Sequence, residues 1–161
     1  MSAYDLAGKP QWRVDLGDDW TKSSPGARSS VTIDSGRLYV LSGVGTLGCL
    51  DAQTGRRFWA RDAKEFGGSP GGWGYAESVL IHENLAIFKP GGANCIVALD
   101  KTTGKPAWSS RGFNAGPEYS SCLAFDFEGQ SLIATGTREG LVCVSARNGA
   151  LQWANAFSAK N

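Results

Sequence analysis

Apolar residues run along this chain in short alternating bursts, each broken by turn-forming residues. Val31-Thr32-Ile33-Asp34 alternates and stops at Asp34-Ser35-Gly36, and Arg37-Leu38-Tyr39-Val40-Leu41 then resumes. A period of two interrupted by such a turn predicts a β-hairpin. Gly43-Val44-Gly45 leads into Leu47-Gly48-Cys49-Leu50, and Thr54-Gly55 leads into Arg57-Phe58-Trp59-Ala60, which predicts four strands in succession. The pattern returns twice. One set is Val79-Leu80-Ile81, Leu85-Ala86-Ile87-Phe88, Ile96-Val97-Ala98-Leu99 and Ala107-Trp108-Ser109. The other is Leu123-Ala124-Phe125, Ser131-Leu132-Ile133-Ala134, Leu141-Val142-Cys143-Val144 and Leu151-Gln152-Trp153.

These sets carry one marker, repeated four times: a small residue, a polar residue two positions on, then a glycine and a tryptophan. The copies are Ala3-Asp5-Gly8-Trp12, Cys49-Asp51-Gly55-Trp59, Ala98-Asp100-Gly104-Trp108 and Cys143-Ser145-Gly149-Trp153. The step from glycine to tryptophan is four residues in every copy, while the polar-to-glycine step is four in three copies and three in the first. Successive marker glycines lie 47, 49 and 45 residues apart. A unit of that length holds four short strands and their turns, the size of one propeller blade. Pro10 and Pro106 each precede a marker tryptophan by two residues. Proline cannot donate to a strand ladder, so the tryptophan strand is predicted to be the outer edge of each blade.

The marker residues have mechanical roles in this reading. Asp5, Asp51 and Asp100 open tight turns in which a carboxylate accepts backbone N–H bonds, and Gly8, Gly55, Gly104 and Gly149 take the positive φ other residues resist. Trp12, Trp59, Trp108 and Trp153 bring a large apolar face and one N–H donor to the blade rim, suited to the backbone of the neighbouring blade. The small residue leaves room for that contact. The competing role, stacking on a cofactor or a sugar, does not call for the same residue in every blade.

Composition agrees. Twenty-two glycines and six tryptophans, in a chain that is 42% hydrophobic, describe an all-β protein of short strands and tight turns. Lys plus Arg (16) nearly balances Asp plus Glu (15) and the charges are scattered, so no basic face points to nucleic acid or an anionic membrane. No apolar stretch approaches the ~20 residues of a membrane span, and the first residues lack the layout of a signal peptide. Cys49, Cys95, Cys122 and Cys143 are too few and too irregular for a disulfide scaffold and form no zinc motif, so they are expected to be small buried residues.

Ala98-Leu99-Asp100-Lys101-Thr102-Thr103-Gly104-Lys105-Pro106-Ala107-Trp108 resembles the tryptophan-docking motif of propellers of the pyrroloquinoline quinone (PQQ)-like repeat family. The second copy matches well. Ala7 stands for threonine in the first, and Ser145 and Asn148 stand for aspartate and threonine in the last. Gly71-Gly72-Trp73-Gly74-Tyr75-Ala76-Glu77-Ser78, with Lys89-Pro90-Gly91-Gly92, is also similar to PQQ-binding-like repeat proteins, and the resemblance covers nearly the whole chain. It implies an all-β partial propeller of four-stranded antiparallel blades. The family divides into quinoprotein dehydrogenases, which oxidise alcohols or sugars with PQQ and calcium, and cofactor-free BamB-like propellers; by the resemblance the parent protein is periplasmic or extracellular. The dehydrogenases resemble one another in an adjacent cysteine pair and in Glu, Asn and Asp ligands for calcium. No two cysteines are adjacent here, and nothing in the spacing gathers the oxygens a calcium site needs around Glu77 and Asn94.

A ligand surface is expected on the strand-connecting loops that converge toward the propeller axis, with Trp73, Tyr75, Glu77, Ser78, Lys89, Asn94, Glu118, Tyr119 and Arg138 as candidates. Tyr75 and Tyr119 recur at similar distances before Trp108 and Trp153, which also fits architecture, and Glu77 either lines the funnel or caps backbone N–H groups. His82, the only histidine, falls in a predicted turn and is expected to be solvated. No catalytic residue is expected.

The blade count is a half blade over residues 1–17 and full blades over about 28–64, 75–112 and 119–157. Three and a half blades do not close a ring of seven or eight, so a longer gene or a second chain is expected to complete it. The leading function is a non-catalytic scaffold that binds protein or polysaccharide. A segment of a PQQ-dependent dehydrogenase and a sugar-binding module are the alternatives; PQQ and calcium enter only if the rest of the protein completes a site.

Overall fold

The computed structural model describes residues 1–156; Phe157, the expected limit of the last blade, lies outside them. The chain is almost entirely strand. A two-stranded sheet, β1 (Ser2–Tyr4) and β2 (Pro10–Arg13), is followed by three four-stranded sheets. Blade one is β3 (Thr32–Asp34), β4 (Arg37–Leu41), β5 (Thr46–Asp51) and β6 (Arg57–Asp62). Blade two is β7 (Leu80–His82), β8 (Leu85–Phe88), β9 (Val97–Asp100) and β10 (Pro106–Ser109), and blade three is β11 (Leu123–Phe127), β12 (Gln130–Thr137), β13 (Gly140–Ser145) and β14 (Leu151–Asn155). Each sheet runs in chain order with antiparallel neighbours. The architecture is a partial β-propeller of about three and a half blades.

The tryptophan strand is an edge in every full sheet, which is why Pro106 is tolerated at the start of β10. The first strands approach one another instead: β7 touches both β3 and β11, so these line the inner side. Each tryptophan strand also carries a bulge just before its indole. Ala3 faces Trp12 and Tyr4 faces Pro10, and the same one-residue slip separates Trp59 from Arg57, Trp108 from Pro106 and Trp153 from Leu151. A bulge increases local twist, and here it accompanies every indole. The small residue of each copy is the direct cross-strand partner of its own blade's tryptophan.

The core lies between blades rather than within them, because side chains alternate across a strand. In β8 and β9, Ala86, Phe88, Val97 and Leu99 pack toward blade one with Tyr39, Leu41 and Leu47. The intervening Ile87 and Ala98 pack toward blade three with Ile133, Val142 and Val144. Leu38, Val40 and Leu50 form a third seam with Trp12, Val14 and Leu16. Blade two is thus apolar on both faces. All four cysteines are free and buried.

His82 is not in a solvated turn. It ends β7, is half-buried, and shares a 3.1 Å hydrogen bond between Nε2 and Ser131 Oγ, so it links blade two to blade three. The strand pattern continued one residue further than the turn signal at Glu83-Asn84 suggested.

Candidate functional site

Antiparallel pairing sorts the loops to two ends of the blades. At one end lie the hairpins after the first strands and the marker turns. At the other lie the connections between blades and the hairpins joining second to third strands.

At the marker end the geometry repeats. Asp51 Oδ1 accepts from the Gln53 N–H, the Thr54 N–H and the Thr54 hydroxyl at 3.0, 2.8 and 2.9 Å. Asp100 Oδ1 accepts from the Thr102 N–H, the Thr103 N–H and the Thr103 hydroxyl at 3.1, 2.7 and 2.8 Å. These bonds hold both carboxyls below the usual carboxylate range, led by the Thr54 amide for Asp51 and the Thr103 hydroxyl for Asp100. Each indole crosses to the next blade. The Nε1 groups of Trp12, Trp59 and Trp108 donate to the carbonyls of Ala52, Lys101 and Ala146 at 3.2, 3.1 and 3.1 Å. The ring then lies over the glycine of that turn: a Cβ on Gly55, Gly104 or Gly149 would sit 2.6, 2.7 or 2.5 Å from the indole. A groove of about 660 Å³ at this end includes His82, Trp108, Ser131 and Ala146, whose polar groups are already joined to one another.

The connection end is assembled differently. A cleft of about 440 Å³ opens between Ser69–Trp73, Gly116–Tyr119 and Arg138. Four of the nine candidates meet there: Trp73, Glu118, Tyr119 and Arg138. Trp73 is 54% and Tyr119 45% exposed, and Arg138 is exposed as well. Arg28 donates to the Trp73 carbonyl and to those of Ser23 and Ser24. Tyr75 anchors the other side of that loop; its N–H donates to Gly43 O at 2.9 Å and its hydroxyl to Pro90 O at 2.8 Å. On the facing wall the Gly116 N–H donates to Glu139 Oε2 at 3.0 Å. The cleft therefore has aromatic faces, one guanidinium and braced walls.

The other five candidates are not on that surface. Tyr75, Glu77 and Lys89 are buried, to 2%, 2% and 1% exposure. Lys89 Nζ donates to the carbonyls of Glu118, Ser120 and Gly136 at 3.3, 2.5 and 2.9 Å, so it braces the wall that carries Tyr119 from beneath. Glu77 Oε1 accepts the Lys89 backbone N–H, while Oε2 has no partner among the described residues. Burial pushes the Glu77 carboxyl up to about 7, against the pull of Lys89. Burial likewise raises the thiols of Cys95 and Cys122. Ser78 is a link, its hydroxyl accepting the Ser30 N–H at 3.0 Å and its own N–H donating to Ser121 Oγ at 2.9 Å. Asn94 Nδ2 donates to Phe66 O at 3.0 Å.

Sequence reasoning passed over Arg28, Ser30, Ser121 and Glu139. The pairs Ser29-Ser30, Glu77-Ser78 and Ser120-Ser121 precede the first strands of the three blades, a register signal that could have found the serines. Arg28 and Glu139 carry no such signal. Among the described residues no three His, Cys, Asp or Glu side chains gather as a metal site, while Glu77 Oε1 and Asn94 Nδ2 are bonded to backbone groups. The described residues therefore assemble no carboxylate cluster for calcium.

The family described as outer membrane protein assembly factor BamB matches residues 1–161. This chain belongs to that PQQ-like, BamB-like family. It is similar to BamB from Moraxella catarrhalis at 20% identity and a TM-score of 0.64, covering 96% of this chain and 41% of that one. It is similar to quinohemoprotein alcohol dehydrogenase from Comamonas testosteroni at 18% identity and a TM-score of 0.72, covering 97% and 32%. The computationally designed Ika4 protein matches at 15% identity and a TM-score of 0.55, covering 89% and 80%. At these identities the likeness is one of fold, and the chain spans 41% and 32% of the two natural proteins. No curated protein matches it. No helix among the described residues is long and apolar enough to cross a membrane.

Proposed function

We propose that the chain is a non-catalytic propeller scaffold, part of a larger ring, and that its connection end binds a polypeptide segment. The observation that carries this reading is the division of labour among aromatic and charged side chains. At the marker end three indoles are used up in holding blade to blade, and two carboxylates in closing their own turns. At the connection end Trp73, Tyr119 and Arg138 stay exposed around a braced cleft. Aromatic faces beside a guanidinium are the residue types that dominate protein-binding hot spots. The family's outer membrane protein assembly factor favours a polypeptide over a small substrate, and supports a parent protein that works in the periplasm or outside the cell.

The likeness to the alcohol dehydrogenase favours a second reading, a segment of a PQQ-dependent enzyme. It rests on sheet architecture, and no cofactor is proposed for this chain itself. Titrations separate the two. Extended aromatic-rich peptides are expected to bind, as read by tryptophan fluorescence and calorimetry, and to bind at least tenfold more weakly to Trp73→Ala and Arg138→Ala. PQQ with calcium is expected to leave quinone absorbance unchanged. Stoichiometric uptake of PQQ, or peptide binding indifferent to both substitutions, would reverse the assignment.

A further inference from the structure

Beneath one wall of the cleft two buried charged groups share a network without pairing. Glu77 and Lys89 are 2% and 1% exposed, and a carboxylate and an ammonium taken out of water usually pair. These two form no ion pair among the described residues. Glu77 Oε1 takes the backbone N–H of Lys89, Oε2 takes no donor among the described residues, and the ammonium is committed elsewhere. It reaches across to the blade-three side, onto the carbonyls of Glu118, Ser120 and Gly136 and the Ser120 hydroxyl. Glu118 and Ser120 flank Tyr119, and Gly136 stands two residues before Arg138. Tyr119 and Arg138 are the side chains by which this wall meets a ligand in the cleft.

The surroundings of Glu77 leave few ways to satisfy its second oxygen. Tyr75, on the same loop, gives its hydroxyl to Pro90 O. Cys95, ahead of β9, and Cys122, ahead of β11, feel the Glu77 charge, but burial pushes both thiols up and keeps them protonated. Glu139, whose charge reaches Cys95, holds the Gly116 N–H. Among the described residues Lys89 is the one cation whose charge reaches the carboxylate. Within this chain Oε2 is therefore satisfied by a proton or by the Lys89 ammonium. A bare carboxylate competes with three carbonyls for that ammonium, because bonds between ionised partners are the stronger ones. A protonated carboxyl does not.

We infer that the proton on Glu77 regulates the cleft: with it, Lys89 holds the wall beneath Tyr119 and Arg138, and without it the ammonium is drawn off Glu118, Ser120 and Gly136 and the wall slackens. Burial supports this by pushing the Glu77 carboxyl up to about 7, so the holding form prevails below that pH and is lost above it. Both side chains are enclosed by residues of this chain, and the switch calls on no other part of the protein. Its effect on a ligand rests on the peptide-binding reading above, whereas the coupling of Glu77 to the wall does not. By reciprocity, a bound peptide tightens the hold of Glu77 on its proton.

Two readouts from about pH 5.5 to 8.5 test it. The first needs no ligand. In NMR of the wild-type chain the backbone amides of Tyr119, Ser120, Ser121 and Thr137 are expected to shift together, with one midpoint of about 7 shared by the Glu77 side-chain carboxyl resonance. In Glu77→Gln, which keeps an acceptor for the Lys89 N–H and does not ionise, the wall amides are expected to stay fixed. The second readout is affinity for an extended aromatic-rich peptide. The wild type is expected to bind about fivefold more weakly at about pH 8 than at about pH 6, and Glu77→Gln equally at both. A wall titration that persists in Glu77→Gln belongs to another group, His82 included, and overturns the inference. So does a wall that does not move, a wall midpoint different from that of the Glu77 carboxyl, or peptide affinity that is flat with pH in the wild type. The comparison of wall and carboxyl midpoints is made in the wild type and stands even where Glu77→Gln does not fold. A wall that titrates with Glu77 in a chain that binds no peptide at any pH supports the coupling and counts against the peptide reading alone.

Discussion

The two ends of the blades are held by opposite strategies. At the marker end three joints use the same atoms in the same geometry, indole N–H to carbonyl over a left-handed glycine. At the connection end several links are singular: Arg28 to the Trp73 carbonyl, Lys89 to three carbonyls around blade three, and Asn94 to Phe66. Repetition lets one local solution hold any number of blades, but it leaves nothing distinctive for a ligand to read. Singular links cost more sequence and create a surface that differs from blade to blade, which is where recognition can reside.

The most damaging way to test that contrast is to fill a joint. Gly104→Ala places a methyl 2.7 Å from the Trp59 ring at φ +70°, combining overpacking with left-handed strain. A loss of about 3 kcal/mol is expected in denaturant unfolding. Gly8→Ala meets the same strain with nothing within 4 Å, so about 1 kcal/mol is expected. Equal losses would mean that the indole contact contributes little and that backbone strain alone sets both values.

At the connection end the largest effect is expected from Lys89→Met, which strips the ammonium from three carbonyls at the base of the cleft wall. A loss of about 3 kcal/mol is expected, with peptide affinity falling because the Glu118–Ser120 backbone is no longer held. Glu77 gives a subtler signature. Its carboxyl sits at about 7 in the folded chain against 4.5 for a freely solvated glutamate, so the folded state binds that proton more tightly. Its contribution is full below pH 4.5 and is lost as pH rises toward 7, at up to ~1.4 kcal/mol per pH unit. Stability measured from about pH 4.5 to 8 should therefore fall in the wild type and stay flatter in Glu77→Gln. The Asp51 and Asp100 carboxyls are shifted downward, so their contribution is lost only as pH falls below the usual carboxylate range, outside that window.

How far the sequence reached follows the same division. The strands, the blade length and the edge position of the tryptophan strand were legible because period-two alternation and glycine turns are local signals. The bulge before every indole was not, since Gln11, Phe58, Ala107 and Gln152 carry no common chemistry. Nor was the burial of Lys89, which depends on carbonyls 29, 31 and 47 residues away. Tyr75 and Tyr119 show the limit most directly. They recur at nearly the same register, yet one is buried with its hydroxyl on Pro90 and the other is exposed in the cleft. The Gly74 φ of +78° and the close approach of Gly43 O turn the first inward, a tertiary fact that no spacing reveals.

The smallest change in stability should accompany the largest in recognition, and that is the finest test of the contrast. Trp73, Tyr119 and Arg138 are exposed, and among the described residues Trp73 is held through its backbone carbonyl rather than its ring. Truncating Trp73 or Arg138 to alanine should therefore shift unfolding by less than about 0.5 kcal/mol. A buried hot-spot aromatic at an interface contributes about 2 kcal/mol or more, so peptide binding should weaken at least tenfold in the same proteins. If truncation instead destabilised the chain as Gly104→Ala does, these side chains would be packing elements like the marker indoles. The connection end would then be architecture too, and the distinction between the two ends would vanish.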